Sequence, residues 1–351
     1  MSRTKTIGVL TSGGDCSGLN AVIRAVTEHA AGTYGWRVLG LRQGHLGLLE
    51  FPPAVVELKP GGTEDLLRSG GTILGTTTKS DPYNIKGPKG EVQDRSDDVI
   101  NVIRELGIEA LVVIGGDGSM RLFDRLCRQG NLNWIGIPKT IDNDVPGTDF
   151  TVGFFTAVGV VTDALDRLAS TAASHRRIMV LEVMGRDSGF IALFGGIAGG
   201  ADAILIPEVD YDLDALSAHV RDVTESGSNS VLVVVAEGIS TPSGKKGEGV
   251  GNIIAAEIEA RTGIDARCTT LGHLQRGGIP TAFDRLLATS FGVKAVELLA
   301  SDISGKLVAW QGGTVVDIPL EDVVTGPRKV GRDSLLLKTA LATGVYVGKL
   351  K

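Results

Sequence analysis

A doubly wound α/β fold is what the sequence predicts, and three observations predict it. Short runs rich in Val, Ile and Leu alternate with amphipathic helical segments along most of the chain, the βαβ rhythm of parallel sheets. The apolar runs are continuous rather than alternating, as in strands covered on both faces. Glycine, at 49 of 351 residues, is about twice its usual share of ~7% and falls mostly where apolar runs end, marking turns and close backbone approaches. A chain of this length makes two domains or one large α/β unit.

Taken in order, the strand candidates are 6–10, 37–41, 110–114, 134–137, 177–183, 203–206, 230–235 and 269–271. Helical patterns fill the intervals at 19–31, 97–106, 154–173, 213–225, 252–261 and 282–299. Two segments interrupt the rhythm: 79–95, polar and rich in Pro and Gly, and 240–251, a flexible basic hairpin or loop. A domain change is placed near residue 150, where a long helix over 151–174 follows the Pro146-Gly147 turn.

Bulk properties exclude several classes. With 42% hydrophobic and 22% charged residues and a net charge of −6, the chain lacks the clustered basic excess of a nucleic-acid binder. Cys16, Cys127 and Cys268 lie far apart and form no CxxC or Cys/His cluster, which argues against a disulfide framework or zinc site and fits a reducing cytoplasm. Residues 1–5 run into the first strand without an apolar signal segment. The longest strongly apolar stretch, 189–201, contains five glycines and falls short of the ~20 residues of a spanning helix. The expectation is a soluble cytoplasmic protein that binds neither nucleic acid nor membrane.

In open α/β sheets ligands bind beyond the carboxyl ends of strands, so the residues after each strand carry the chemistry. The first strand is followed by Thr11-Ser12-Gly13-Gly14-Asp15-Cys16-Ser17-Gly18, a turn that either brings backbone N–H groups to an anion or is simply tight. It is not a Walker A loop, and its glycines do not keep the dinucleotide register. Gly115-Gly116-Asp117-Gly118-Ser119 opens a second helix in the same way. An aspartate aimed at phosphates is explained by Mg²⁺ between the two anions, with helix capping as the alternative. IPKTIDNDVPG follows the next strand. There Thr140, Asp142 and Asp144, alternating in an extended segment, would share one side, one acid taking a proton from a hydroxyl and the other supporting Mg²⁺. Cations come later: His175-Arg176-Arg177, Met184-Gly185-Arg186, Arg267, and the run Gly272-His273-Leu274-Gln275-Arg276. Several arginines at strand ends suggest a phosphorylated ligand, and Glu237 after an apolar run suits sugar hydroxyls.

These motifs, in this order, closely resemble the 6-phosphofructokinase family: LTSGGDCSGLNAVIR, GGTILGTT, GGDGS, PKTIDNDVPGTD, SHRRI, EVMGRDSG, PEV, AEG and LGHLQRGG. The resemblance implies transfer of a phosphoryl group to the 1-hydroxyl of fructose 6-phosphate, with Mg²⁺ as cofactor. It implies two similar doubly wound (Rossmann-like) domains facing a cleft: 1–152 plus 275–325 for the donor and metal, and 153–274 plus 326–351 for the sugar phosphate. By matching motifs, Asp142 is the base, Gly13 and Arg186 flank the transferring group, and Thr140 contacts the sugar or transition state. Donor contacts fall on Gly13, Gly14, Thr78, Lys79, Gly116, Asp117, Gly118 and Ser119, with Asp117 as metal ligand and Asp144 in support. Met184, Gly185, Glu237, His273 and Arg276 match the sugar-phosphate site. Arg177 and Arg267 match arginines that reach in from a neighbouring subunit, which implies a homodimer or homotetramer.

The donor indicators conflict. Family members that use ATP often carry an arginine in the loop after GGTxLG, where this chain has Thr76-Thr77-Thr78-Lys79. Gly118 leaves room for a nucleotide, whereas an Asp there is typical of pyrophosphate users; Lys139 instead resembles the pyrophosphate pattern. Steric exclusion is the stronger argument, so ATP is the expected donor and a pyrophosphate-dependent enzyme of the same family the alternative. A non-catalytic sugar-phosphate sensor and a nicotinamide dehydrogenase are the more distant readings.

Overall fold

The computed structural model describes residues 4–78, 80–87, 90–323 and 325–349. The chain begins with β1 (Thr6–Thr11), α1 (Leu19–Tyr34), β2 (Arg37–Leu41) and β3 (Val55–Leu58). A two-residue ladder, β4 (Ile85–Lys86) with β5 (Val92–Gln93), precedes α2 (Ser96–Glu105), β6 (Ala110–Gly115), α3 (Asp117–Gly130) and β7 (Asn133–Pro138). Then come α4 (Phe154–His175), β8 (Ile178–Val183), α5 (Phe190–Ala198), β9 (Ala203–Leu205), α6 (Leu213–Glu225), β10 (Val231–Ala236), α7 (Val250–Thr262) and β11 (Ala266–Thr270). The last elements are α8 (Ala282–Ala300), β12 (Lys306–Gln311), β13 (Thr314–Pro319) and α9 (Leu335–Ala342).

The chain divides into two compact units: Met1–Thr140 with Val145–Gly153 and Arg276–Pro327, and Ile141–Asp144 with Phe154–Gln275 and Arg328–Lys351. The first holds a seven-stranded sheet in the order β13-β12-β7-β6-β1-β2-β3. Its five inner strands run parallel, and antiparallel strands close both edges. From β1 the chain moves outward on one side to β2 and β3, then returns on the other side at β6. The β1 and β6 turns therefore flank the topological switch point, where a doubly wound sheet binds ligand. Strands β1 and β6 are buried along their whole length, which is why they read as unbroken apolar runs. Leu10, Leu111, Val113, Phe123 and Trp134 join the core of this unit. Helices α1 and α8 approach closely at Gly292, where a Cβ would lie 2.7 Å from that of Ala25.

The second unit holds a four-stranded, all-parallel sheet, β11-β8-β10-β9. Both units are α/β, as the sequence predicts. The differences have physical reasons. Strand β11 starts three residues before its expected start, because Ala266 and Arg267 pair with Ile178 and Met179 although their side chains do not make an apolar run. Strands β3, β12 and β13 were not expected: β3 and β13 are antiparallel edge strands, which bury only part of their length, and β12 is an inner strand whose buried run Leu307–Ala309 is only three residues long. Segment 79–95 carries the β4–β5 ladder, and Lys79 lies outside the described residues. Among the described residues no helix is long and apolar enough to cross a membrane.

Candidate active site

In the first unit β1, β6 and β7 lie side by side and parallel, so their carboxyl-end turns emerge together. Ser12 N–H donates to the Ile114 carbonyl (2.9 Å) and Lys139 N–H to that of Gly115 (2.9 Å), which ties the three turns into one ledge. Gly13 sits at φ +85°, and a Cβ there would lie 3.3 Å from both Lys139 Nζ and Ser119 Oγ. At Gly14 a Cβ would lie 2.6 Å from Arg276 Nη1. The Gly13 N–H is spent inside the protein, donating to the Thr77 carbonyl (2.9 Å), while Thr76 Oγ1 donates to the Gly13 carbonyl (2.6 Å). The turn is thus bound to the loop that leads to Thr78, which is exposed.

Lys139 is only 2% exposed. Its amine donates to the carbonyls of Ser12 (2.9 Å) and Gly14, so it holds the first glycine turn from beneath. Beside it, burial pushes the Cys16 thiol up to about 12 although Lys139 pulls the other way, and the thiol donates to the Val152 carbonyl (3.3 Å). Ser119 Oγ donates to Ser12 Oγ (2.9 Å). Replacing Lys139 with methionine removes charge-assisted bonds worth about 1.5–3 kcal/mol each. The expected result is a melting temperature lower by several degrees with unchanged preference among phosphoryl donors. A variant of native stability that switched donor would instead make Lys139 a donor determinant.

Asp117 opens α3 one residue after the N-cap Gly116. One carboxylate oxygen accepts the Gly118 N–H and the other meets Arg121 Nη1 at 2.9 Å, with the side chain still 15% exposed. At Gly118 an added Cβ would meet only Arg121 Nη2, at 4.0 Å, so the turn is open there. Thr140 lies beside Gly116, its Cβ 4.0 Å from where a Cβ on that glycine would be. Among the described residues no three His, Cys, Asp or Glu side chains cluster as a metal cage. Asp117 offers a single carboxylate, and Mg²⁺ typically takes one or two, filling its remaining positions with water and phosphate oxygens.

In the second unit, Asp142 is 4% exposed and its carbonyl accepts from Ser188 Oγ (3.0 Å). Asn143 adopts φ +53°, which breaks the extended run. The extended alternation expected of this segment therefore does not hold between Asp142 and Asp144. After β8, Met184 N–H donates to Gln275 Oε1 (3.2 Å), and Gly185 at φ +141° has no room for a Cβ, which would lie 2.5 Å from the Ser188 carbonyl. Arg186 N–H donates to Glu237 Oε1 (3.0 Å), and its side chain is exposed. Glu237, at the end of β10, therefore braces the β8 loop. Gly238 is required beside it, because a Cβ there would lie 1.9 Å from the Arg186 carbonyl. His273 is exposed in the 3-10 turn Gly272–Arg276 after β11. Arg276 groups with the first unit and donates from Nη1 to the Asp15 carbonyl (3.1 Å).

Arg177 and Arg267 lie elsewhere. They stand at the amino ends of β8 and β11, the edge opposite Met184, Glu237 and His273, and both pair with Asp265, Arg267 at 2.6 Å. One chain does not bring them to the carboxyl-end loops of its own sheet.

Several residues here escaped sequence reasoning. Gln275, 1% exposed, bridges Met184 N–H and the Gly272 carbonyl; it sits inside GHLQRGG and was findable there. Ser188 is likewise inside MGRDSG. His45 hydrogen-bonds through Nε2 with Ser80 Oγ (2.8 Å) on the loop after Thr78, and burial pushes its pKa down to about 4. Arg328 reaches Asn143 across 185 positions, a separation that leaves no local signal.

The motifs agree with comparison to known proteins. A family model described as Phosphofructokinase matches residues 6–299. ATP-dependent 6-phosphofructokinase 1 of Synechocystis sp. is 48% identical over 99% of this chain and 99% of its own. The protein of that name from Nostoc sp. is also 48% identical, over 99% and 100%. The crystal structure of Pichia pastoris phosphofructokinase in the T-state matches with a TM-score of 0.82 and 34% identity over 92% of this chain, which spans 36% of that longer chain. A pyrophosphate-dependent phosphofructokinase from Nitrosospira multiformis shares the fold, with a TM-score of 0.83 at 22% identity over 98% of this chain and 93% of its own. The resemblance read from the motifs is borne out, and the chain belongs to the phosphofructokinase family.

Proposed function

We propose that this protein is an ATP-dependent 6-phosphofructokinase, transferring the γ-phosphoryl group of ATP to the 1-hydroxyl of fructose 6-phosphate. The observation that carries the reading is identity of 48% along the whole length to relatives named for that activity. Open space at Gly118 supports ATP as the donor. Lys139, which resembles the pyrophosphate pattern in sequence, has a structural task at the Ser12 and Gly14 carbonyls that serves either donor.

In this reading the first unit takes the donor, through Gly13, Gly14, Thr78, Gly116, Gly118 and Ser119, with Lys79 assigned on the motif alone. Asp117 would hold Mg²⁺, with Asp144 assigned in support on the motif alone, and the bound ion would supply charge neutralisation at the phosphates. The second unit takes the sugar phosphate through Met184, Gly185, Glu237 and His273, with Arg276 assigned to the same ligand on the motif alone. Asp142 accepts the proton of the 1-hydroxyl as that oxygen bonds to the γ-phosphorus. The bond from phosphorus to the bridging oxygen breaks, ADP leaves, and fructose 1,6-bisphosphate forms. On the motifs, Arg186, Gly13 and Thr140 are assigned to the transferring group, where positioning and charge stabilisation do most of the work. Arg177 and Arg267 serve a neighbouring subunit's site in a homodimer or homotetramer, consistent with their distance from their own chain's loops. A cytoplasmic setting suits this chemistry.

Purified protein with Mg²⁺ and fructose 6-phosphate, offered ATP, ADP or pyrophosphate separately, tests the reading. Turnover with ATP is expected. Turnover with pyrophosphate alone would overturn the donor, and none with any donor would favour a sugar-phosphate sensor.

A further inference from the structure

Three consecutive carbonyls of the loop that carries Asp142 are held by groups of the second unit. Ser188 Oγ donates to the Asp142 carbonyl (3.0 Å). The Arg328 guanidinium donates twice to the Asn143 carbonyl, from Nη2 at 2.9 Å and Nε at 3.3 Å. The Arg328 backbone N–H donates to the Asp144 carbonyl at 2.7 Å. The same guanidinium lies over the ring of Phe190, its central carbon 4.6 Å from the centroid. Phe190 begins α5, directly after the Met184–Gly189 loop that carries Arg186. One side chain thus braces the Asp142 loop against the start of α5.

The chemistry of the brace is specific to arginine. A planar guanidinium bonds one carbonyl through two N–H groups and stacks on an aromatic face at the same time, whereas an ammonium is a point charge. The segment it holds needs support, because Asn143 occupies the left-handed region, which is sparsely populated even for Asn. A general base must stand within hydrogen-bond reach of its proton, and a displacement of ~1 Å costs about 10²-fold in rate.

We propose that Arg328 is a positioning residue for phosphoryl transfer, setting the Asp142 carboxylate by fixing the backbone on either side of it. The inference rests on the proposed role of Asp142 as the base. A brace that merely stabilised the fold would lower stability without regard to Asp142, and a double-mutant cycle separates the two. The variants are Arg328→Ala, Asp142→Ser and the double variant, assayed at saturating ATP and fructose 6-phosphate, with circular dichroism for folding. Arg328→Ala is expected to lower kcat by about 10- to 100-fold, with both KM values within about threefold of the parent. In the Asp142→Ser background it should cost less than about threefold more, because the group it positions is gone. Arg328→Lys should recover only part of the loss.

A full repeat of the loss in the double variant, or an Arg328→Ala enzyme within threefold of the parent, overturns the positioning role and leaves that of Asp142 intact. Near-normal kcat in Asp142→Ser alone overturns the base, and this inference with it. Should Arg328→Ala not fold, the same cycle is read on Arg328→Lys and Arg328→Gln. Failure of all three to fold would make Arg328 a structural residue and end the proposal.

Discussion

Replacing Asp142 with serine is expected to lower kcat by about 10²–10⁴-fold, the usual worth of a positioned general base. The aspartate is 4% exposed, and its carbonyl accepts from Ser188 Oγ at 3.0 Å, a bond that a change of side chain leaves in place. Serine keeps a small polar group in place, so the loop should retain its course through Asn143. Since proton acceptance matters only as the new bond forms, kcat and kcat/KM should fall together while KM for both substrates stays within a few-fold. Steady-state kinetics with a melting curve checks this, and near-normal kcat in a folded variant would remove Asp142 from the reaction.

The second large effect is expected from Gly118→Asp. On the proposed donor reading, a carboxylate here repels the α-phosphate of a nucleotide. Like-charge juxtaposition costs several kcal/mol, so kcat/KM for ATP should fall by about 10²–10³-fold. The fold should not suffer. Position 118 is in the first turn of α3, where acidic residues are favourable to the helix dipole, and the nearest atom to a new Cβ is the Arg121 guanidinium at 4.0 Å. A melting temperature equal to or above the parent's, with ATP use collapsed, is the expected pairing. ATP kinetics within threefold of the parent would show that Gly118 does not govern the donor.

Much of the fold was legible because parallel strands buried on both faces announce themselves as apolar runs. The turns after β1, β6, β7, β8 and β10 were found by their position at strand ends. What the sequence concealed falls into two kinds. The β12–β13 hairpin carries a readable signal, Gly312-Gly313 between two strand-like runs, with both glycines at positive φ (57° and 87°) and Gln311 opposite Thr314. It lies outside the βαβ rhythm that marks the other strands. Arg328 is of the other kind. Its partners are carbonyls, which have no sequence signature, in a loop whose own residues name the side chains but not the backbone turn at Asn143. Lys139 is intermediate: the motif picked it out as a charge near the chemistry, and only burial explains why its amine serves backbone carbonyls.

The ring of His45 has one further consequence. Burial keeps it uncharged down to about pH 4, well below the ordinary imidazole value, and its hydrogen bond with Ser80 belongs to the loop that continues from Thr78. Across the interval from about pH 5 to 8, where an unperturbed histidine changes state, this one does not. The segment beside the glycine turns therefore has no proton switch at His45, and acidification of the surrounding medium within that interval leaves this anchor unchanged.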